Sequence, residues 1–593
     1  MGSRAALSAI VAAVLGLFWL AVPVQAQNGY SPVAGPEKKK APKPKAPAAP
    51  ASQSPAPPDQ ETVMRGAMPA PVEKGDLTPA MAADGSGLPF ELWRGLDVAG
   101  VEKLISELEI PPRSSALHNL WKRLITSDVT PPAGESSNIK FAALRLEAMY
   151  RSGLAKEATE ELKKQPSASD AVMATLSARN ELATGHTQQA CDVARQAASI
   201  KGEIPKRLKT TAILMSGYCA ASAKDPASAG LAADLAREEG VAASPGLEAL
   251  DAISIAAKPK ILAPKRLTLI DYRLMELAGT HGDLSMLDKA EPALLIAIAG
   301  DLATEPTLKL NAAEAAARVN ALTPDNLAQI YRASATNESG DGLLAGSQTT
   351  GPARRANLFK AAESEKTPMK KTRLIRAFID DSKRAGLAMQ AMQMSASTAA
   401  SLNPQPEISW FAETAAEIGL ASGKTGLARR WLTFVAGPDQ TTNTGLGHWL
   451  ALADIAEPDP ANKDQYLNEV ETLALRGRFT PDALHRLATV MDALNYNVPI
   501  PLWEAASRTP QPNTGHLPAT GVLSELQDAS KKKEFGRTVL LAMKSLGPDG
   551  AEGAHIIALG DSIRALKRAG LENDARRLGL EALLAAWPRS QAN

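Results

Sequence analysis

From Phe90 to the end of the chain, apolar residues recur three and four positions apart in segments of roughly 12–17 residues, each closed off by Gly or Pro. The stretch 206–222 shows the period clearly. Leu208, Thr211, Ala212, Met215, Tyr218, Cys219 and Ser222 fall on one face of a helix wound at 3.6 residues per turn. Between the apolar positions stand Ala, Leu, Glu, Lys and Arg, all good helix formers. Alternating β-branched or aromatic runs are missing, and no Asn-Gly or Asp-Gly turn joins two apolar runs, so strands are not expected. The pattern predicts an all-α body.

A finer pattern sits at the joints. Gly153, Gly185, Gly386, Gly423 and Gly570 each follow a Leu/Ala-rich segment, and each is followed five positions later by an alanine: Ala158, Ala190, Ala391, Ala428 and Ala575. Lys224 and Ala229 make a sixth, imperfect case, and Gly477 and Ala483 a looser one. A glycine takes the left-handed conformation that ends a helix. An alanine one turn into the next helix lets two antiparallel helices approach closely. The spacing predicts helical hairpins.

These positions resemble the tetratricopeptide-repeat family, in which a Gly between two helices and an Ala five residues later are characteristic. Ala178 and Ala416 match a small position seven before the Gly, and Ala197 and Ala582 match a later one. Leu146 and Ile563 stand where that family has a small residue, and its aromatic positions are mostly missing. The resemblance implies an α-solenoid of TPR-like hairpins that works by binding other proteins.

The chain ahead of this body is different in kind. Residues 1–26 read as a secretory signal: Arg4, then an apolar run from Ala5 to Val22, then Val24-Gln25-Ala26 as the cleavage tripeptide before Gln27. The alternative is an uncleaved N-terminal helix that anchors the chain in the inner membrane. Residues 27–88 form a Pro/Ala/Lys-rich linker expected to be disordered; 31–58 alone hold nine prolines and five lysines. Two helical-repeat domains are expected, 89–336 and 353–593, joined by a Gly-rich linker loop at 337–352. A second irregular stretch, 509–521, reads as a surface loop.

Composition sharpens this picture. The chain has 593 residues, 108 of them alanine, with 4% aromatics, two cysteines and a net charge of +1. Two cysteines exclude a disulfide-dense miniature fold, and balanced charge argues against nucleic-acid binding. Removing Arg4 with the signal leaves a +4 arm at 27–58 and a −4 body. A basic extended arm suits weak contact with an anionic wall or membrane surface; a plain solvated spacer suits it as well.

Candidate chemistry is sparse. Cys191 and Cys219 lie on consecutive predicted helices, equidistant from Pro205 in the turn, which suits a disulfide in an oxidising compartment; two buried thiols are the alternative. The run from Gly419 to Thr425 has Gly-Lys-Thr but spaces its glycines wrongly for a phosphate loop, so a hairpin turn is expected there. Seven scattered histidines form no metal motif. Asp380 and Asp381 read as a solvated face, Ser530 to Lys533 as an exposed basic turn, and the tryptophans as core.

No catalytic, cofactor-binding or metal residue is assigned. The expected function is a non-enzymatic scaffold or adaptor, periplasmic or secreted, that binds other cell-envelope proteins or peptide segments. The alternative is a peptidoglycan-processing enzyme or its helical accessory subunit.

Overall fold

The computed structural model describes residues 87–134, 137–164, 170–259, 265–280, 283–335, 337–346, 348–436, 446–458 and 467–589. The expectations for the signal at 1–26, the cleavage site Ala26/Gln27 and nearly all of the linker lie outside them. The linker's last two residues do not: Gly87 is exposed, but Leu88 is fully buried, as is Leu92, and so belongs to the folded body. About 70% of the described residues are helical and none forms a strand; three isolated bridges are the only β pairings among them. The described part is all-α.

Many helix starts follow from single residues. Asp97, Ser114, Asp170, Asp225, Ser244, Thr323 and Thr480 each accept a hydrogen bond from a first-turn N–H, and Thr268 with Asp271 forms a reciprocal capping box. Prolines occupy the first turn of the helices beginning at Pro226, Pro245, Pro292, Pro306, Pro324, Pro368 and Pro481. Proline there loses no helical hydrogen bond and fixes φ favourably. The proline content of the body therefore punctuates helices rather than breaking them.

The joints carry the expected conformations. Gly153, Gly185, Gly386, Gly423 and Gly570 have φ between 69° and 99°, and Lys224 takes the same turn at φ 61°. The six alanines five residues on are all at most 1% exposed. Each such turn joins two helices that pack on one another: Ser137–Arg151 with Ala155–Lys164, Ala171–Ala183 with Thr187–Ser199, and Lys206–Ser222 with Pro226–Glu238. Pro368–Arg384 with Ala388–Ala400, Ala412–Ala421 with Thr425–Ala436, and Ile556–Ala569 with Glu572–Leu584 complete the set. At Gly419 the approach is so close that an added Cβ meets the Ala428 amide nitrogen at 2.7 Å.

Three readings are corrected. Helix Lys206–Ser222 has the expected span, but Ile213, Leu214 and Gly217 off the expected face are buried too. It is covered on two sides, because Leu250 and Ala232 close over Gly217. The Gly-rich stretch 337–352 is not a linker between two domains: Gly340–Gly346 is helical, Gly351 opens the next helix, and the described residues on both sides of it belong to one compact unit. Burial of Leu343 and a 2.9 Å ion pair from Asp341 to Lys370 hold it in place. Asp381 is buried against Arg354 and Arg384, whereas Asp380 is exposed.

Several charges buried in the body are paired. Glu314, fully buried, accepts two hydrogen bonds from Arg355 at 2.8 and 2.6 Å and one from the Tyr331 hydroxyl at 2.7 Å. A lone buried charge is very costly, so the bidentate geometry is what makes this site tolerable.

The first two helices of the unit meet helices near its C-terminal end. Helix Ser115–Thr126 packs on Glu572–Leu584, and Val98–Ser106 packs on Phe535–Leu546. Gly536 N–H donates to Leu92 O at 2.9 Å, Arg113 N–H donates to Pro548 O at 3.2 Å, and Arg123 pairs with Asp574. This junction shapes the 400 Å3 cavity described below.

Candidate functional site

The last helix, Glu572–Leu584, begins after the left-handed Gly570 and carries Glu572 and Asp574 in its first turn, where acidic groups offset the helix dipole. Its residues divide by face. Asp574 and Arg576 turn inward: Asp574 meets Arg123, and Arg576 binds Glu572 and, at 3.2 Å, the Ile455 carbonyl. Asn573, Arg577, Leu580, Glu581 and Leu584, at i, i+4, i+7, i+8 and i+11, line a cavity of about 400 Å3.

The other walls come from distant parts of the chain. Helix Ser115–Thr126 gives Ser115, Ala116 and Asn119, and helix Ala388–Ala400 gives Met389 and Gln393. The hairpin turn after Ala412–Ala421 gives Ser422 and Gly423, the helix after it gives Thr425, and the end of Gly447–Ala456 gives Ala456 and Glu457. Gln393 donates to the Ala421 carbonyl at 3.1 Å, which satisfies a free helix end. The Thr425 hydroxyl donates to the Glu457 carboxylate.

Glu581 is the buried charge-bearing group of this wall, only 6% exposed. Its Oε2 accepts the Ala116 N–H at 2.8 Å. Burial pushes its carboxyl up to about 7, against the pull of hydrogen bonds from Ser114, Ala116 and Ser115, and the nearby Glu552 pushes the same way. Arg577 and Glu457 are exposed at the rim, and neither has an ion-pair partner among the described residues. The cavity therefore offers one cation, one anion, a carboxyl that titrates near neutrality, and side-chain amides of Asn119 and Asn573 that have no partner among the described residues.

A second cavity of about 160 Å3 is of another kind. Tyr150 donates to Glu291 at 2.8 Å, Arg179 lies 3.8 Å over the Tyr150 ring and pairs with Glu147, and Ser244 and Gly246 donate to Asp271. Its charged groups already have partners. It is a structural polar network.

Of the residues singled out in the sequence, Cys191 and Cys219 are brought together in a disulfide, Cα atoms 5.5 Å apart. Gly423 sits in a hairpin turn, Thr425 opens the helix after it, and both line the larger cavity. Among the described tryptophans, Trp93, Trp121, Trp431, Trp449 and Trp587 are buried, while Trp410 and Trp503 are 38% and 45% exposed. His118 is buried, which depresses it to about 4, with Lys122 adding to the effect. Among the described residues no group of three or more His, Cys, Asp or Glu is placed to hold a metal. None of their helices is long and apolar enough to cross a membrane.

Glu457, Arg577 and Glu581 escaped the sequence reading. The one local signal was the i, i+4, i+8 spacing of Asn573, Arg577 and Glu581 on the last helix. No protein-family model, curated protein or solved structure matches the chain.

Proposed function

We propose that the protein is an exported, non-catalytic binding protein of the cell envelope, built as a TPR-like α-solenoid of helical hairpins. Six turns with the same left-handed joint and the same buried alanine carry this reading. Stacked hairpins form an extended surface for peptide segments of other envelope proteins, and the cavity where helix Ser115–Thr126 meets Glu572–Leu584 is a recess in it. The Pro/Lys-rich arm at 27–58 acts as a tether, and the disulfide suits an oxidising compartment. The glycan-processing alternative is the weaker reading. Two carboxylates, Glu457 and Glu581, do line the cavity, but no aromatic ring among the described residues lines it to stack a sugar.

Crosslinking the full chain in its native envelope tests the reading. One defined envelope protein should be recovered at a fixed ratio, and recovery of this chain alone would overturn it. Release of soluble sugars from purified wall by the purified protein would overturn the non-catalytic assignment.

A further inference from the structure

We propose that the 400 Å3 cavity binds a free short peptide of two or three small apolar residues, its C-terminal carboxylate on Arg577 and its N-terminal ammonium on Glu457. The inference rests on the binding reading above and adds the class of ligand.

Charge pairing around the cavity is the first observation. Asp574 is held by Arg123, Arg576 by Glu572, and Asp454 by Arg429, while Glu417 is met by both Lys383 and Arg589. Arg577 and Glu457 have no ion-pair partner among the described residues, and they carry opposite signs in one cavity. A cavity with one cation and one anion that lack ion-pair partners among the described residues complements a zwitterion, even with Thr425 donating to Glu457. A phosphate or other polyanion meets Glu457 unfavourably, and a polyamine meets Arg577 unfavourably.

The remaining walls fit a peptide body. The Asn119 and Asn573 side chains make no hydrogen bond among the described residues, so each offers a donor and an acceptor, the complement of a peptide N–H and C=O. Met389, Leu420, Leu580 and Leu584 give apolar surface for small side chains. The volume lies near the lower end of small-molecule sites, ~300–1,000 Å3, which leaves room for roughly two or three residues. Glu581, carrying its proton up to near-neutral pH, adds a hydrogen-bond donor there rather than a third charge.

Calorimetric titration of the full chain with alanyl-leucine tests this, alongside its N-acetyl and C-terminal amide forms. Alanyl-leucine should bind, and blocking either end should weaken binding by at least ~10-fold. Arg577→Met should bind more weakly and become indifferent to C-terminal amidation. Glu457→Gln should do the same for N-acetylation. Both side chains are exposed, so unchanged helicity by circular dichroism is the fold control for each variant. No binding of alanyl-leucine, equal binding of the blocked forms, or unaltered end discrimination in the variants would overturn the inference. If alanyl-leucine fails while crosslinking still recovers a defined envelope protein, the ligand assignment falls and the binding reading stands.

Discussion

Glu581 is the residue at which burial and charge conflict most openly. Its carboxyl sits 6% exposed against Ser114 and Ala116, raised from 4.5 to about 7. The folded protein therefore keeps this proton over a range in which the unfolded chain has lost it. Stability from this group is fully present below about pH 4.5 and declines as pH rises through about 7, by about 3 kcal/mol in all. His118 works in the opposite sense, since its depression from 6.5 to about 4 removes stability as pH falls across that interval. The difference between wild type and Glu581→Gln isolates the carboxyl. Denaturant unfolding should show the variant gaining on wild type between pH 5 and 8, because Gln keeps the acceptor for the Ala116 N–H. A constant difference across that range contradicts the assignment.

At the scale of elements, the helix-ending turns were legible in the sequence because their causes are local. A left-handed glycine and an alanine five residues on need no knowledge of the rest of the chain, and both appear at all five Gly joints. Lys224 shows the same demand met by an unsuited residue, at φ 61°. Gly185→Ala, where an added Cβ meets nothing within 4 Å, should cost about 1–2 kcal/mol from backbone conformation alone. Lys224→Gly should instead stabilise by up to about 1 kcal/mol. Thermal unfolding checks both, and equal shifts of the same sign would refute the turn reading. The disulfide was half legible: symmetry about Pro205 placed Cys191 and Cys219 at one height, leaving open whether they bond. The stretch 337–352 was misread because its glycines were weighed without Leu343 and Lys370, whose burial and ion pairing are tertiary. Asp381 was misread for the same reason, since Arg354 lies 27 positions before it.

On the scale of the whole folded unit, what the sequence hid is the meeting of its two ends. Asn119, Gln393, Glu457 and Arg577 come from four separate segments of the chain, and nothing in local spacing brings them to one cavity. Their convergence depends on helix Ser115–Thr126 packing on Glu572–Leu584, with Arg123 on Asp574 and Ala116 N–H on Glu581. Hydrogen exchange resolved by mass spectrometry tests that junction most directly. Amides of 115–126 and 572–584 should be protected to a similar degree in the wild type, and Arg123→Glu should speed exchange in both segments together. Fast exchange of 115–126 beside a slow 572–584, with no response of the latter to Arg123→Glu, would contradict the account.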